Sequence, residues 1–112
     1  MQCPGDFTVW SGNDDLILPT AALGCKGVVS VISNVEPLLT QTMTQAAMDG
    51  DLDTALNLQK KLWPLLQALS CDINPIPVKA AMNIQGKQVG LPRLPLTEME
   101  PQNQERIKKA ME

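Results

Sequence analysis

The chain of 112 residues contains no histidine and no tyrosine. Histidine is the side chain that ordinarily titrates near neutral pH, so histidine-based acid–base catalysis is excluded for these residues. The three cysteines, Cys3, Cys25 and Cys71, are widely spaced, whereas a structural zinc site uses four ligands that usually include a close pair. We therefore expect no metal site and no cofactor, and we interpret the cysteines as buried or partly buried thiols.

Basic residues are also few, with 9 Lys and Arg against 12 Asp and Glu and a net charge of -3. A nucleic-acid surface needs clustered Lys and Arg to meet the phosphate backbone. No apolar run approaches the roughly 20 residues that span a bilayer, and the first residues, MQCPGDF, lack the basic and apolar regions of a signal peptide. We expect a cytoplasmic protein with neither a nucleic-acid nor a membrane partner.

The first part of the chain predicts a strand, a short helix and a second strand. Residues 7–10 are β-prone and end at the turn sequence SGNDD, and residues 28–32 are nearly continuously apolar, which is typical of a strand in a parallel sheet. Residues 16–23 between them predict a short buried helix, with Pro19 in its first turn and Gly24 at its end. Such a unit has a right-handed crossover.

The rest of the chain predicts helices. Pro37 marks the start of one that ends near Gly50, and Asp51 caps a longer one that Pro64 interrupts. Its apolar positions repeat at three and four residues and are Ala55, Leu58, Leu62, Leu65, Leu66 and Leu69. A short helix from about residue 77 to 86, a loop over 87–96 and an amphipathic final helix follow. The final helix begins near Pro101 and is anchored by Ile107, Ala110 and Met111.

Four motifs in this order, SGNDD, LGCKGVVSVISNVEP, NPIPVKAAMN and LPRLPL, resemble the carboxy-terminal part of dihydrodipicolinate synthase, of the Schiff-base aldolase family that includes N-acetylneuraminate lyase. The resemblance implies an α/β fold: a carboxy-terminal fragment of a TIM (β/α)8 barrel, with about two parallel strands and a helical region, predominantly helical. Residues 1–50 would be the last two βα units of the barrel, and residues 51–112 the carboxy-terminal helical region.

The resemblance also implies a chemistry. The family is a class I aldolase-type lyase that condenses pyruvate with aspartate semialdehyde through a lysine imine, on the route to lysine. On this mapping the catalytic lysine lies upstream of Met1, and the tyrosine, threonines and arginine of the site are absent too. We therefore expect no catalytic residue here, no activity of the chain alone, and binding of both substrates only in the complete enzyme.

The substrate-binding positions that the resemblance carries over are backbone ones, the carbonyl of Val29 and the strand-end Gly12. The alternatives are a core side chain at Val29 and a turn glycine at position 12. Lys26 and Lys79 match no catalytic position, so we interpret them as ordinary lysines. Asp14 is predicted to cap the segment that follows it.

Polar residues at two further positions have structural interpretations. Asn13 stands where an aspartate is common in the family, which keeps the turn chemistry but alters the charge. Asn74 is predicted to hydrogen-bond its own turn before Pro75.

Two barrel strands leave two open edges, and each open edge is a template for association, so a homo-oligomer is expected. Other outcomes stay open. The chain could be a helical self-association module without catalysis that uses the parent's subunit-contact surface, or one part of an assembly whose site is completed by another chain. The strands could also lose barrel geometry, leaving the helices of residues 37–86 as a bundle.

Overall fold

The computed structural model describes residues 4–112, so the interpretation of Cys3 lies outside the described part. Within this range the chain forms five α-helices, which are α1 (Ile17–Ala22), α2 (Pro37–Asp49), α3 (Leu52–Leu69), α4 (Ile76–Ile84) and α5 (Pro101–Met111). Two short 3-10 turns, Asp14–Leu16 and Ile32–Asn34, precede α1 and α2. The predominantly helical architecture predicted from the sequence is confirmed.

The two predicted strands are reduced to one isolated parallel bridge, and its first residue, Ser11, lies just beyond the predicted strand of residues 7–10. Ser11 and Val28 form a parallel bridge, in which the Ser11 amide donates to the Gly27 carbonyl at 2.9 Å and the Val29 amide donates to the Ser11 carbonyl at 2.8 Å. The predicted end of the second strand is wrong, because Ile32 already begins a 3-10 turn. With only one neighbour each, the two segments cannot build the longer ladder of a multi-stranded sheet.

Local signals set the helix ends close to their predicted places. The helix α1 closes at Gly24, whose φ of 92° is the left-handed conformation that glycine tolerates best. Gly50 closes α2 in the same way with a φ of 81°, and the Asp51 amide then donates to the Ala46 carbonyl at 2.9 Å, the long bond of a Schellman motif. These bonds satisfy carbonyls that the helix ends would otherwise leave unpaired.

The helix α3 carries the predicted apolar stripe into the core. Its buried side chains include Ala55, Leu62, Leu65, Leu66 and Leu69, and its neighbours are α2, α4 and α5. The helix continues through Pro64, whose side chain is exposed. Because the lost hydrogen bond lies on the solvent side, the buried stripe is not interrupted.

One apolar core joins all five helices. The largest of the fully buried side chains are Ile17, Ile32, Thr40, Met43, Pro77 and Ile107. The buried Thr40 hydroxyl donates a hydrogen bond to the Glu36 carbonyl at 2.7 Å. Ile107, fully buried, anchors α5 as predicted, and Ala110 and Met111 pack beside it against the core.

The predicted boundary between residues 50 and 51 falls in the α2–α3 turn, and core side chains come from both sides of it.

No helix within residues 4–112 is long and apolar enough to cross a membrane.

The capping of α3 generates a pH prediction. Hydrogen bonds from Thr54, first from its hydroxyl and then from its backbone amide, hold the pKa of Asp51 below its ordinary value of 3.8. Because the pKa of Asp51 is lower in the folded chain than in the unfolded chain, the ionised carboxylate stabilises the fold above pH 3.8. This contribution to the free energy of unfolding is lost as the pH falls through the lower folded-state pKa. We predict that Asp51→Asn lowers the melting temperature at neutral pH, and that this difference disappears in acid. Asp53→Asn, in the same turn but outside the cap, is the control, and equal effects of both variants would contradict the prediction.

Candidate functional site

A cleft in the described part of the chain has a volume of about 800 Å³. It lies where the paired segments end, between the stretch after Ser11 and the last turns of α3. The residues that line it are Gly12, Asn13, Asp14, Asp15, Val31, Trp63, Leu66, Gln67, Leu69, Ser70, Asp72, Asn74 and Arg106. Binding sites of parallel α/β folds gather at the carboxyl ends of the strands, and this cleft occupies that place.

Asp14 ties the two segment ends together. Its Oδ2 atom accepts hydrogen bonds from the amides of Val31 and Ile32, both at 2.9 Å. The prediction that Asp14 caps its own following segment is wrong, since the 3-10 turn at Asp14–Leu16 has no side-chain cap. The carboxylate instead caps the 3-10 turn that begins at Ile32, because folding brings that turn beside it.

Acidic groups outnumber basic ones along the cleft. Asp14, Asp15 and Asp72 face a single cation, Arg106 of α5. The Oδ1 atom of Asp14 is buried and has no hydrogen-bond partner within residues 4–112. A buried acceptor of this kind ordinarily has a donor, so the unused oxygen is a place where an added group can donate a hydrogen bond.

The two predicted substrate-binding positions are placed differently. Gly12 lines the cleft, and a Cβ atom there would meet nothing within 4 Å. Val29 lies on the bridged segment outside the lining, and its side chain is 71% exposed. The alternative of a core side chain at Val29 is therefore wrong for this chain, whereas its substrate role and that of Gly12 stay predictions.

Neither candidate lysine lies in the cleft. Lys26 is exposed, and the Lys79 ammonium donates to the carbonyls of Val89 and Leu91 on another side of the fold. An imine-forming lysine has to face the substrate, so the structure offers no such lysine in this cleft. Within residues 4–112, no group of three His, Cys, Asp or Glu side chains could hold a metal ion.

Several residues that line the cleft were not predicted from the sequence. Trp63, Gln67 and Ser70 are four and three residues apart, so they share one face of α3. That spacing was a usable signal, hidden by the stronger apolar stripe beside it. Arg106 carried no such signal, because only the docking of α5 brings it to the cleft. Asn74, predicted to bond its own turn, lines the cleft instead, and its side chain makes no hydrogen bond within the described residues.

Comparison with known proteins identifies the family. A family model described as the dihydrodipicolinate synthetase family matches residues 1–112. The chain belongs to this family. The 4-hydroxy-tetrahydrodipicolinate synthase of Acetivibrio thermocellus is 47% identical over 109 residues, which cover 97% of this chain and 37% of that protein. The corresponding synthase of an Exiguobacterium species is 49% identical over the same share of both chains.

Solved structures of the dihydrodipicolinate synthetase family confirm the fold. The dihydrodipicolinate synthase of Aquifex aeolicus superposes with a TM-score of 0.94 at 40% identity, over 98% of this chain and 38% of that one. A monomeric dihydrodipicolinate synthase variant superposes with a TM-score of 0.92 at 38% identity, over 98% and 37%. The chain therefore spans between a third and two fifths of the length of these relatives. The resemblance to the carboxy-terminal part of a TIM barrel is confirmed.

The bridging role of Asp14 generates a testable prediction. Asp14→Ala leaves the amides of Val31 and Ile32 without their acceptor, which we expect to cost about 2 kcal/mol of unfolding free energy. Hydrogen exchange at these two amides should accelerate more than elsewhere. Asp15→Ala is the matched control, because the Asp15 carboxylate makes no hydrogen bond within residues 4–112 and is exposed, so its change should stay within about 0.5 kcal/mol. Equal exchange in the two variants would contradict the assignment.

Proposed function

We propose that these 112 residues form the carboxy-terminal portion of an aldolase site that condenses pyruvate with aspartate semialdehyde, and that they are inactive alone. One observation carries the proposal: the cleft at the carboxyl ends of the paired segments contains Gly12 but none of this chain's lysines. The family membership supports the reaction class. The chain's share of about 37% of the curated relatives leaves room for the imine-forming lysine in a preceding portion.

In this proposal the chain contributes backbone and shape to the site. Gly12 has no side chain at the segment end, so a substrate can approach its backbone closely. The Val29 carbonyl lies on the neighbouring segment and faces the imine. Asp14 fixes the distance between these two segments by accepting from Val31 and Ile32. The lysine, the proton-relaying tyrosine, the threonines and the arginine come from the preceding portion.

The proposed boundary keeps residues 1–50 as the last two βα units of the barrel and residues 51–112 as the added helical region. In support, α1 follows the first bridged segment and α2 follows the second, as in a barrel's repeating unit. The helices α3, α4 and α5 follow one another with no intervening bridged segment.

The reaction belongs to amino-acid biosynthesis, so we propose a cytoplasmic site of action.

Trapping of the imine tests this proposal. The chain is incubated with pyruvate and borohydride, alone and with the amino-terminal portion of the Acetivibrio thermocellus synthase that it does not match. We expect no adduct on the chain alone by mass spectrometry, and with both portions an adduct on the added portion together with turnover. An added portion lacking its imine-forming lysine is the control. An adduct on Lys26 or Lys79 of the chain alone would overturn the proposal.

A second candidate function is self-association without catalysis, and the surface beside the bridged segments favours it. The side chains of Phe7, Trp10 and Val29 are 63%, 56% and 71% exposed. Scattered apolar residues are normal on a surface, but a group beside open strand edges favours association. A related synthase variant is monomeric, so membership of the family does not decide whether this chain self-associates.

Light scattering after size exclusion measures this association at micromolar concentration. We expect an oligomer for the chain, and a shift towards monomer for Phe7→Lys and Val29→Lys, since a lysine on an edge disfavours strand pairing. Leu38→Lys is the matched control, because Leu38 is 73% exposed but lies on α2, away from the bridged segments. A monomer at every concentration would exclude this second function.

A further inference from the structure

A second cavity of about 250 Å³ lies between α4, α5 and the connection that joins them. Its lining shares no residue with that of the first cleft. The apolar walls come from Ile76, Ala80, Ile84, Leu91, Pro92 and Met99, and the polar groups from Lys79, Asn83, Glu98 and Gln104. Mostly apolar walls with a few convergent polar groups are the usual composition of a small-molecule site.

Side chains of α4 hold the connecting segment in place as the outer wall of this cavity. Asn83 donates to the Gly90 carbonyl and accepts from the Val89 amide, both at 2.9 Å. The Lys79 ammonium donates to the carbonyls of Val89 and Leu91 at 3.3 and 3.2 Å. Because Lys79 and Asn83 are four residues apart, they project from the same face of α4 and fix the wall together.

The charge of Lys79 is not neutralised. The sole ion pair within residues 4–112 joins Lys108 to Glu105 at 2.6 Å, so no carboxylate lies within 4.0 Å of Lys79. Its two acceptors are neutral carbonyls. Glu98 also lines the cavity but is exposed, whereas Lys79 is partly buried, so solvent screens the charge of Glu98 more strongly than that of Lys79. The balance of the cavity therefore favours an anion beside Lys79.

We propose that this cavity binds a small aliphatic monocarboxylate. The carboxylate accepts a hydrogen bond from the Lys79 ammonium, and the hydrocarbon tail packs between Ile76, Ile84 and Met99. Sites for drug-sized ligands have volumes of about 300–1,000 Å³, so a cavity of 250 Å³ suits a molecule of only a few carbon atoms. The site is separate from the aldolase cleft, and it does not depend on the proposed synthase function.

Isovalerate is the probe, titrated into the isotope-labelled full chain and followed by amide chemical shifts. We expect saturable shifts around the cavity with a dissociation constant of about 1 mM. Lys79→Met should weaken binding about tenfold through loss of one charge-assisted hydrogen bond. Lys87→Met is the matched control, because Lys87 also donates to a backbone carbonyl, that of Asn34 at 2.8 Å, but lies outside the cavity. It should bind as the unmodified chain does.

Two further measurements keep the test decisive if Lys79→Met disturbs the loop. Ala80→Leu fills the cavity and leaves Lys79 in place, so it should abolish the shifts. Isovaleramide has the same shape without the charge and should bind at least about tenfold more weakly. The proposal is overturned if the amide binds as well as the acid, if Lys87→Met weakens binding as much as Lys79→Met, if Ala80→Leu still binds, or if no saturable shift appears.

Discussion

Burial of the apolar stripe of α3 is the interaction on which the rest of the structure depends. Each leucine side chain removed from water there contributes about 1.5–3 kcal/mol before the entropy of ordering is subtracted. The stripe packs against α2, α4 and α5, so it fixes the helices that border both cavities. The adjacent, more exposed face of the same helix supplies Trp63 and Gln67 to the cleft, beside Leu66 and Leu69 of the stripe. One helix thus builds the core with one face and the candidate site with another.

The parallel bridge and Asp14 are the second constraint, and they act on the site rather than on the core. Three hydrogen bonds at 2.8–2.9 Å hold the bridged segments side by side, and Asp14 holds their ends through two more. In a closed barrel each strand would have a neighbour on both sides. Here the pairing is short, and the hydrogen bonds that one carboxylate accepts from two backbone amides set the spacing of the segment ends. The positions of Gly12 and Val31 at the cleft follow from it.

The two cavities differ in chemistry because different parts of the chain line them. The cleft lies at the ends of the parallel segments and has three carboxylates and one guanidinium along its wall, which makes it polar. The smaller cavity lies between helices and has a mostly apolar wall, with one ammonium, that of Lys79, which forms no ion pair within residues 4–112. The two lysines of this region have different contacts: Lys79 of α4 lines the smaller cavity, and Lys87 donates to the Asn34 carbonyl at the end of the second 3-10 turn.

The sequence by itself determined the helices, their limits and the family. Pro37, Gly50, Asp51, Gly86 and Pro101 act on the residues next to them, through a fixed φ, a left-handed φ or a capping carboxylate, so their effect can be predicted locally. Only the tertiary structure decided the length of the strand pairing, the partners of Asp14 and the arrival of Arg106 at the cleft. Each of these depends on groups far apart in the chain, and the free energy that brings them together comes from the shared core, which no local pattern encodes.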